Sequence, residues 1–195
     1  MHNRVTPFDM KKLLAIMLSL LPLWTMAQEY DFAKKVGGNT LYFAILTTGG
    51  TNGPTVEVTF PNAEENPWKG FSKPRGQVVI PEVVTPDRSK AKNADPEDDD
   101  TTLYRVVSIR YNAFQGCDRI TRLTLPPSVT KIEENAFDGC KRIEYLVCQA
   151  VEPPKLDESS FDKVDINIPV RVPAGTYEKY KEALGWRVFT EIIEY

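Results

Sequence analysis

A stretch of 20 residues in the second half of the chain occurs twice, and this repeat constrains the fold more than any other feature. Residues 106–125 align with residues 129–148 at an offset of 23, and ten of the 20 aligned positions are identical. Phe114 aligns with Phe137 inside the shared motif Asn-Ala-Phe-x-Gly-Cys. One coil of this length cannot bury its own apolar side, so the copies are expected to stack and to share one interior.

The spacing of the apolar residues within each copy predicts the architecture. The copies contain Ile-x-x-Leu-x-Leu and Ile-x-x-Leu-x-Cys, and this pattern at a period of about 20–29 residues is typical of leucine-rich repeats. A weaker third copy follows, with Phe161 placed 24 residues after Phe137. We therefore predict a mostly β fold, a short leucine-rich repeat solenoid of about three coils over residues 105–173. Phe114 is expected to stack on Phe137 at the spacing of strands, roughly 4.8 Å.

The segments that flank the repeats are predicted to cap the ends of the solenoid. Residues 28–84 are predicted to form a β-rich N-terminal cap, because strand-like residues 40–47 and 55–60 flank a Gly/Asn turn. Residues 78–81 resemble the repeat strand at residues 123–126, and they are predicted to supply the strand of a first coil.

Residues 174–195 are predicted to form a small C-terminal cap that contains a helix. Thr176 is a suitable N-cap, and Gly185 is a suitable stop signal. The i, i+3, i+7 spacing predicts that the helix has one apolar face. That face would carry Tyr177, Tyr180 and Leu184.

The beginning of the chain is typical of a secretory signal peptide. Lys11 and Lys12 precede an apolar run of 12 residues, and small residues for cleavage end at Ala27. We predict that residues 1–27 are removed, whether translation starts at the first or the second methionine, and that the exported protein is secreted, periplasmic or on the cell surface. No later apolar run reaches the roughly 18 residues that a membrane-spanning helix requires, so no membrane span is predicted in the mature chain.

Residues 85–104 are predicted to be an acidic, mobile insertion. Low hydrophobicity and two prolines favour a loop that stays in solvent. Its acidic run offers oxygen ligands of the kind that Ca²⁺ prefers. The run lacks the glycine and the closing Glu of an EF-hand loop, so a plain solvated loop is favoured and no metal site is predicted.

The residue inventory excludes several kinds of site. The chain's one histidine, His2, lies in the predicted signal peptide, so the mature chain has no imidazole for a nucleophilic triad or a histidine metal site. No phosphate loop or dinucleotide motif is present, and no cofactor is predicted. Loss of residues 1–27 leaves 21 basic and 26 acidic residues, a net charge of −5, which argues against a nucleic-acid partner.

The three cysteines leave two alternatives open. Cys117 and Cys140 occupy equivalent repeat positions, and Cys148 stands where the first copy has Leu125. An exported protein permits disulfides, and stacked coils bring the Cα atoms of Cys117 and Cys140 within bridging range. Their Cβ atoms are expected to point in parallel, so buried free thiols that pack as small apolar groups are favoured over a bridge.

Alternate residues of the repeat strands are expected to face outward and to form the candidate ligand surface. Arg and Tyr are enriched at the energetically important positions of interfaces, whereas an ordinary solvated sheet face is the alternative. Trp68 with Trp186 is a second candidate surface if their rings are exposed, but packing inside the caps is favoured. The residues of the first candidate surface are Arg122, Thr124, Tyr145, Val147 and Arg171.

These motifs resemble a known family. The repeat region is similar to the BspA-like leucine-rich repeat family, in the motifs Asn-Ala-Phe-x-Gly-Cys, Ile-x-x-Leu-x-Leu-Pro and Ser-Val-Thr-Lys-Ile. The flanking segments, including Glu29-Tyr-Asp-Phe and Gly185-Trp-Arg-Val-Phe, extend the resemblance over residues 28–195. The resemblance implies an exported, cell-surface protein of host-associated anaerobic bacteria, and some members are adhesins for host proteins or other bacteria. This chain departs from the family in having about three coils instead of many. Its acidic insertion also replaces the family's usual short Gly-containing turn.

Three functions follow as hypotheses. The leading one is a non-catalytic binding module for a protein or glycan on a host or bacterial surface. The second is a structural or assembly component of the cell envelope, which would associate through its sheet edges. The third and least favoured is a hydrolase that uses a pair of carboxylates about 5–10 Å apart.

Overall fold

The computed structural model describes residues 30–63, 65–86 and 101–195. The predicted signal peptide at residues 1–27 and insertion residues 87–100 lie outside the described residues. The described part is mostly β, with one short helix, α1 (Tyr177–Glu182), and a 3-10 helix at Trp186–Val188. Its strands are β1 Phe32–Val36, β2 Asn39–Thr47, β3 Thr55–Thr59, β4 Arg75–Val79, β5 Val83–Val84, β6 Tyr104–Ile109, β7 Arg119–Leu125, β8 Lys131–Ile132, β9 Tyr145–Cys148, β10 Lys155–Leu156, β11 Pro169–Val172 and β12 Glu191–Glu194.

The strands form two sheets. The first, called here the mixed sheet, has the order β1-β2-β3-β6-β8-β10, and β5 pairs with β6 beside this path. Its pairings among β3, β6, β8 and β10 are parallel, and the others are antiparallel. The second, called here the parallel sheet, has the order β4-β7-β9-β11-β12, and all its pairings are parallel. Apolar side chains from both sheets contribute to one core.

The copies of the repeat stack as the sequence predicts. The ring centroids of Phe114 and Phe137 are 5.1 Å apart with planes 5° from parallel. Phe137 and Phe161 are also 5.1 Å apart, at 11°. Backbone bonds join the same coils, since the Phe114 N–H donates to the Ala136 carbonyl (2.7 Å) and the Phe137 N–H donates to the Ser160 carbonyl (2.8 Å). The predicted stacking of Phe114 on Phe137 is therefore confirmed.

The strand register also agrees with the sequence alignment. Leu123 pairs with Leu146 across β7 and β9, which is the offset of 23 in the repeat. Val78 of β4 pairs with Leu123, so residues 78–81 do supply a strand to the stack. Val170 of β11 pairs with Leu146, as the weaker third copy predicts.

The N-terminal hairpin is confirmed, and it belongs to a sheet that the sequence did not predict. β2 and β3 pair antiparallel, with a register shift between Ile45 and Thr47. β1 extends the hairpin, and the rings of Phe32 and Phe43 stack at 5.3 Å. The rest of the mixed sheet includes β8 and β10, which have two residues each. A run of two residues has no measurable period, so nothing in the sequence marked these strands.

The side chain of Asn39 closes the N-terminal edge of the parallel sheet. Its Nδ2 donates to the carbonyls of Arg75 (3.0 Å) and Gln77 (3.2 Å), and its Oδ1 accepts from the Arg75 N–H at 2.9 Å. Asn39 is 8% exposed. One buried amide thus occupies three groups of β4 that an added strand would otherwise satisfy.

The predicted helix is shorter than expected, and its predicted apolar face is only partly correct. Tyr180 is buried, whereas Tyr177 is 38% exposed and Leu184 is 71% exposed. The helix ends at Glu182, because Ala183 is already extended at ψ 131° and Gly185 turns the chain at φ 82°. A Cβ at Gly185 would lie 2.6 Å from the Cβ of Leu156, so this glycine permits a close approach as well as a turn. Thr176 is the N-cap residue, but its hydroxyl donates to the Pro173 carbonyl instead of capping the helix.

All three cysteines are buried and free. The thiol of Cys140 donates to the Phe114 carbonyl at 3.2 Å. Burial raises the pKa of Cys140 to about 12 and also raises the pKa values of Cys117 and Cys148. These thiols pack as small apolar groups, in agreement with the favoured interpretation of the sequence. The domain boundaries, the coil count and the two caps remain predictions.

Candidate functional site

The five predicted surface residues lie together on the outward side of the parallel sheet. Arg122 pairs with Tyr145, and Thr124 pairs with Val147. Val147 in turn pairs with Arg171 of β11. The residues that alternate with them are buried: Leu123, Leu125, Leu146, Cys148, Val170 and Val172. The strands therefore present one face to the core and these five side chains to the outside.

The structure extends this outward face by residues that the sequence did not indicate. Gln77 and Val79 of β4 pair with Arg122 and Thr124, and both are exposed. Ile193 of β12 pairs with Arg171 and is 37% exposed. The resemblance of residues 78–81 to a repeat strand was a signal for Val79. No repeat motif marks β12, so no pattern in the sequence indicated that Ile193 belongs to this face.

Two arginines of this face stack on tyrosines. The guanidinium carbon of Arg122 lies 5.8 Å from the centre of the Tyr145 ring, and that of Arg171 lies 5.9 Å from the Tyr195 ring. Such contacts stabilise an exposed pair by about 0.5–1 kcal/mol. They hold each guanidinium near its ring and leave its N–H donors available to a ligand.

The arginines of the parallel sheet have no carboxylate partners among the described residues. The exposed arginines on its strands are Arg75, Arg119, Arg122 and Arg171. None of them forms an ion pair with any residue that the structure describes. An exposed cation without a partner is ordinary, and Lys35, Arg105 and Lys155 of the mixed sheet also have no ion pair with a described residue. The parallel sheet differs in that all four of its exposed cations are arginines without such a pair.

Two cations of the mixed sheet have carboxylate partners. Arg110 lies 3.5 Å from Glu57, and Lys131 lies 2.5 Å from Glu133. The second oxygen of Glu133 accepts the Tyr111 N–H at 3.1 Å. Burial raises the pKa of Glu57, while Arg110 beside it lowers that pKa. The charged groups of these two ion pairs therefore satisfy one another.

Concave regions lie on the part of the chain that the structure describes. One hollow of about 450 Å³ borders Glu133, Glu134 and Asp157, but both oxygens of Glu133 are already engaged as described above. A larger groove of about 740 Å³ lies between Phe161 and the exposed Leu184. In the part of the chain that the structure describes, no group of three or more His, Cys, Asp or Glu side chains is arranged to hold a metal ion.

The second candidate surface from the sequence is ruled out. Trp68 is 3% exposed and Trp186 is 0% exposed. The Trp186 indole N–H donates to the Pro154 carbonyl at 2.7 Å, and its ring contacts Tyr180 and Phe161. Both tryptophans pack in the interior, as the favoured interpretation of the sequence predicts. Within the described ranges, no helix is long and apolar enough to cross a bilayer.

Comparisons with known proteins agree with the repeat pattern. Residues 101–177 match the family model described as a BspA type leucine rich repeat region, in 6 copies. A solved structure of a leucine-rich repeat protein from Bacteroides ovatus ATCC 8483 is similar, with 25% sequence identity and a TM-score of 0.42. That alignment covers 73% of this chain and 37% of the other, so the chain spans little more than a third of that protein's solved length. No curated protein matches the chain.

Proposed function

Residues 101–177 are a BspA-type leucine-rich repeat region, and on this premise we propose that the chain is a non-catalytic module that binds a protein partner. Leucine-rich repeats commonly mediate protein interactions, because stacked strands make an extended surface. The proposed contact surface is the outward side of the parallel sheet. It comprises Arg122, Thr124, Tyr145, Val147 and Arg171, extended by Gln77, Val79, Ile193 and Tyr195.

One observation carries this proposal: no exposed arginine on the strands of the parallel sheet has an ion pair with a described residue, and two of them stack on tyrosines. On the mixed sheet, Arg110 and Lys131 each have a carboxylate partner, while three other exposed cations have none among the described residues. On the parallel sheet, Arg122 and Arg171 have tyrosines beneath them and no ion pair among the described residues. Arginine and tyrosine contribute disproportionately to binding at protein interfaces. A face that keeps both available is suited to a partner.

The proposal includes the setting of the surface. We propose about three coils, capped by residues 28–84 and 174–195, in a protein exported after removal of residues 1–27. The stacked Phe114, Phe137 and Phe161 support three coils. The signal-like pattern at the start of the chain supports export. The partner is proposed to be a protein on a host or bacterial surface.

The test compares two double variants in one assay. Arg122→Ala with Tyr145→Ala removes a stacked pair from the parallel sheet. Lys131→Ala with Glu133→Ala removes an ion pair from the mixed sheet and serves as the matched control. Binding of each form to a panel of purified extracellular-matrix proteins and to intact bacterial cells is measured by biolayer interferometry and flow cytometry.

The expected result is saturable binding that only the first variant weakens. Loss of a central arginine–tyrosine pair typically costs 2 kcal/mol or more, which is about thirtyfold in affinity. The control is expected to bind as the wild-type chain does. If both variants bound with the same affinity, the assignment of the contact surface to the parallel sheet would be wrong.

A second candidate function is self-assembly in the cell envelope, and the free edge of the mixed sheet favours it. The N–H groups of Lys155 and Asp157 bond to carbonyls of residues 130 and 132, so the backbone groups of Leu156 face away from β8. Leu184 and Val188, 71% and 49% exposed, lie in the groove beside this edge. Sedimentation should show concentration-dependent oligomers without a partner. A monomer at every concentration would contradict assembly.

A further inference from the structure

Arginines are concentrated on and beside the parallel sheet to an extent that folding does not explain. Five exposed arginines lie there: Arg75 on β4, Arg119 and Arg122 on β7, Arg142 just before β9, and Arg171 on β11. None has an ion pair with a described residue. The chain as a whole is acidic, with a net charge of −3. The excess of positive charge is therefore local to this surface.

Three of these arginines follow one another along the direction of stacking. Arg75 and Arg119 are direct partners in the strand register. Arg142 precedes Tyr145 by three residues, as Arg119 precedes Arg122, and Arg122 pairs with Tyr145. Like charges placed opposite each other in a sheet are destabilising. A row of like charges without partners is expected where an anionic ligand supplies the compensation.

The nearby carboxylates do not provide this compensation. Four exposed carboxylates lie on or just before these strands: Asp118 before β7, Glu144 before β9, and Glu191 and Glu194 on β12. None forms an ion pair with a residue that the structure describes. The surface therefore carries five guanidinium groups against four carboxylates, and the guanidinium donors remain available.

One row across the sheet, called here the apolar row, carries three aliphatic side chains together with Thr124 and Arg171. Val79 pairs with Thr124, Thr124 with Val147, Val147 with Arg171, and Arg171 with Ile193. Val79 is 40% exposed and Ile193 is 37% exposed. A ligand that covers the sheet would therefore bury aliphatic side chains while it contacts guanidinium groups.

We infer that the partner presents a protein segment in which Asp or Glu carboxylates flank an apolar side chain. This inference rests on the proposed function and specifies the chemistry of its partner. The planar guanidinium matches a carboxylate with two parallel hydrogen bonds, and the tyrosine stacking under Arg122 and Arg171 holds two of the forks in place. The apolar row requires an apolar group from the partner. A polysaccharide sulfate or a nucleic-acid backbone offers anions without such a group.

The test uses short random peptides displayed on phage and selected against the intact chain. Three forms are compared: wild type, Arg122→Gln with Arg171→Gln, and the control Lys131→Gln with Lys155→Gln. The two variants lose the same charge, from the parallel and the mixed sheet respectively, at exposed positions. Selected peptides are then synthesised with their acidic residues intact or replaced by Asn and Gln, and affinities are measured by fluorescence anisotropy.

The expected outcome is enrichment of acidic residues beside an apolar one on the wild type and on the control, and not on the arginine variant. Removing one carboxylate from a peptide should weaken binding about tenfold, which corresponds to one charge-assisted hydrogen-bonded pair. The same loss should follow from Arg122→Gln. When a peptide that lacks the carboxylate is tested against Arg122→Gln, the loss of affinity should be smaller than the product of the two separate losses, because both changes remove the same contact.

The two levels of the proposal fail in different ways. If selected peptides lack acidic residues but still lose binding in the arginine variant, the inference about the partner is wrong and the surface assignment stands. If peptides bind all three forms equally, the surface assignment fails as well. Tighter binding of heparin or single-stranded DNA than of any peptide, abolished by the arginine variant, would overturn the choice of a protein partner.

Discussion

The outward sides of the two sheets are built by the same coils and differ in how their charges are satisfied. On the mixed sheet, Glu57 and Glu133 are held by Arg110 and Lys131. On the parallel sheet, exposed arginines face solvent without ion pairs among the described residues, and one pair of them is directly opposed. The mixed sheet therefore combines two ion pairs with three exposed cations that have none among the described residues, Lys35, Arg105 and Lys155. The parallel sheet keeps its strongest hydrogen-bonding groups available to a partner.

The difference teaches which positions of a repeat carry information about function. The inward positions of both sheets are set by stacking, as the phenylalanine ladder shows. The outward side chains do not have to stack in the core. A destabilising arrangement among them, such as Arg75 opposite Arg119, therefore needs an explanation other than folding. Four predictions follow from this comparison, beginning with the interior that supports both faces.

Phe137→Ala should have the largest effect, because this ring stacks on Phe114 and on Phe161 and holds both sheets in register. Truncating a buried phenylalanine costs about 3–5 kcal/mol. Urea unfolding should show that loss, while Tyr145→Ala, at a partly exposed position, should change the free energy of unfolding by only about 1 kcal/mol. Similar losses for both variants would contradict the distinction between the interior and the faces.

Asn39→Ala should have the next largest effect, because it removes the side chain that closes the β4 edge of the parallel sheet and leaves the backbone pairing of the mixed sheet unchanged. Two carbonyls and one N–H of β4 would lose their partner, and buried groups left unsatisfied cost about 1–3 kcal/mol. Hydrogen exchange should rise at Arg75, whose N–H donates to Asn39. The exposed Gln77→Ala on the same strand is the control, and an equally mild result for both variants would rule out this edge closure.

Arg119→Glu should stabilise the chain by about 0.5–1 kcal/mol, because it replaces a like-charge pair with Arg75 by an attractive one. The matched change on the mixed sheet, Lys131→Glu, should destabilise by a similar amount, since Glu133 loses its cation and gains a repulsion. Thermal melts of the two variants should shift in opposite directions. Shifts in the same direction would remove the contrast between the faces.

Glu194→Gln should have the smallest effect, and the effect should depend on pH. The carboxylate of Glu194 accepts the Tyr177 N–H at 2.7 Å at the start of α1, and such backbone hydrogen bonds lower its pKa. A lowered pKa contributes stability above the pKa of the unfolded chain, and this contribution is lost as the pH falls through the folded value. Wild type and variant should therefore differ in urea midpoint at neutral pH and converge in acid. A difference that grows in acid would contradict this.

The inward half of the repeat region was predictable from the sequence, and the rest was not, for physical reasons. The offset of 23 places Phe114 on Phe137 and Leu123 beside Leu146, because stacking equivalent residues is what a repeat encodes. β8 and β10 are too short to show a period. β12 joins the parallel sheet through Ile192 and Val170 without any repeat motif.

The surface was predictable in position but not in character. Alternation along β7 and β9 indicated Arg122 and Tyr145, and the structure places them on one outward face. Whether an exposed arginine has a partner depends on which strand lies beside it. The pairing of Arg75 with Arg119 joins residues 44 apart, next to a register shift between Gly76 and Gln77, and no local pattern encodes such a contact. The burial of Trp186 was predicted, but its hydrogen-bond partner, the Pro154 carbonyl 32 residues away, was not.

The measurement that tests the central claim most directly is a map of the bound face. The isotope-labelled chain is titrated with an acidic peptide from the selection, and amide chemical shifts are followed by NMR. The largest changes are predicted for β4, β7, β9 and β11, around Arg122 and Arg171, with little change on β6 and β8. Changes concentrated on β6 and β8, around Arg110 and Lys131, would contradict the account.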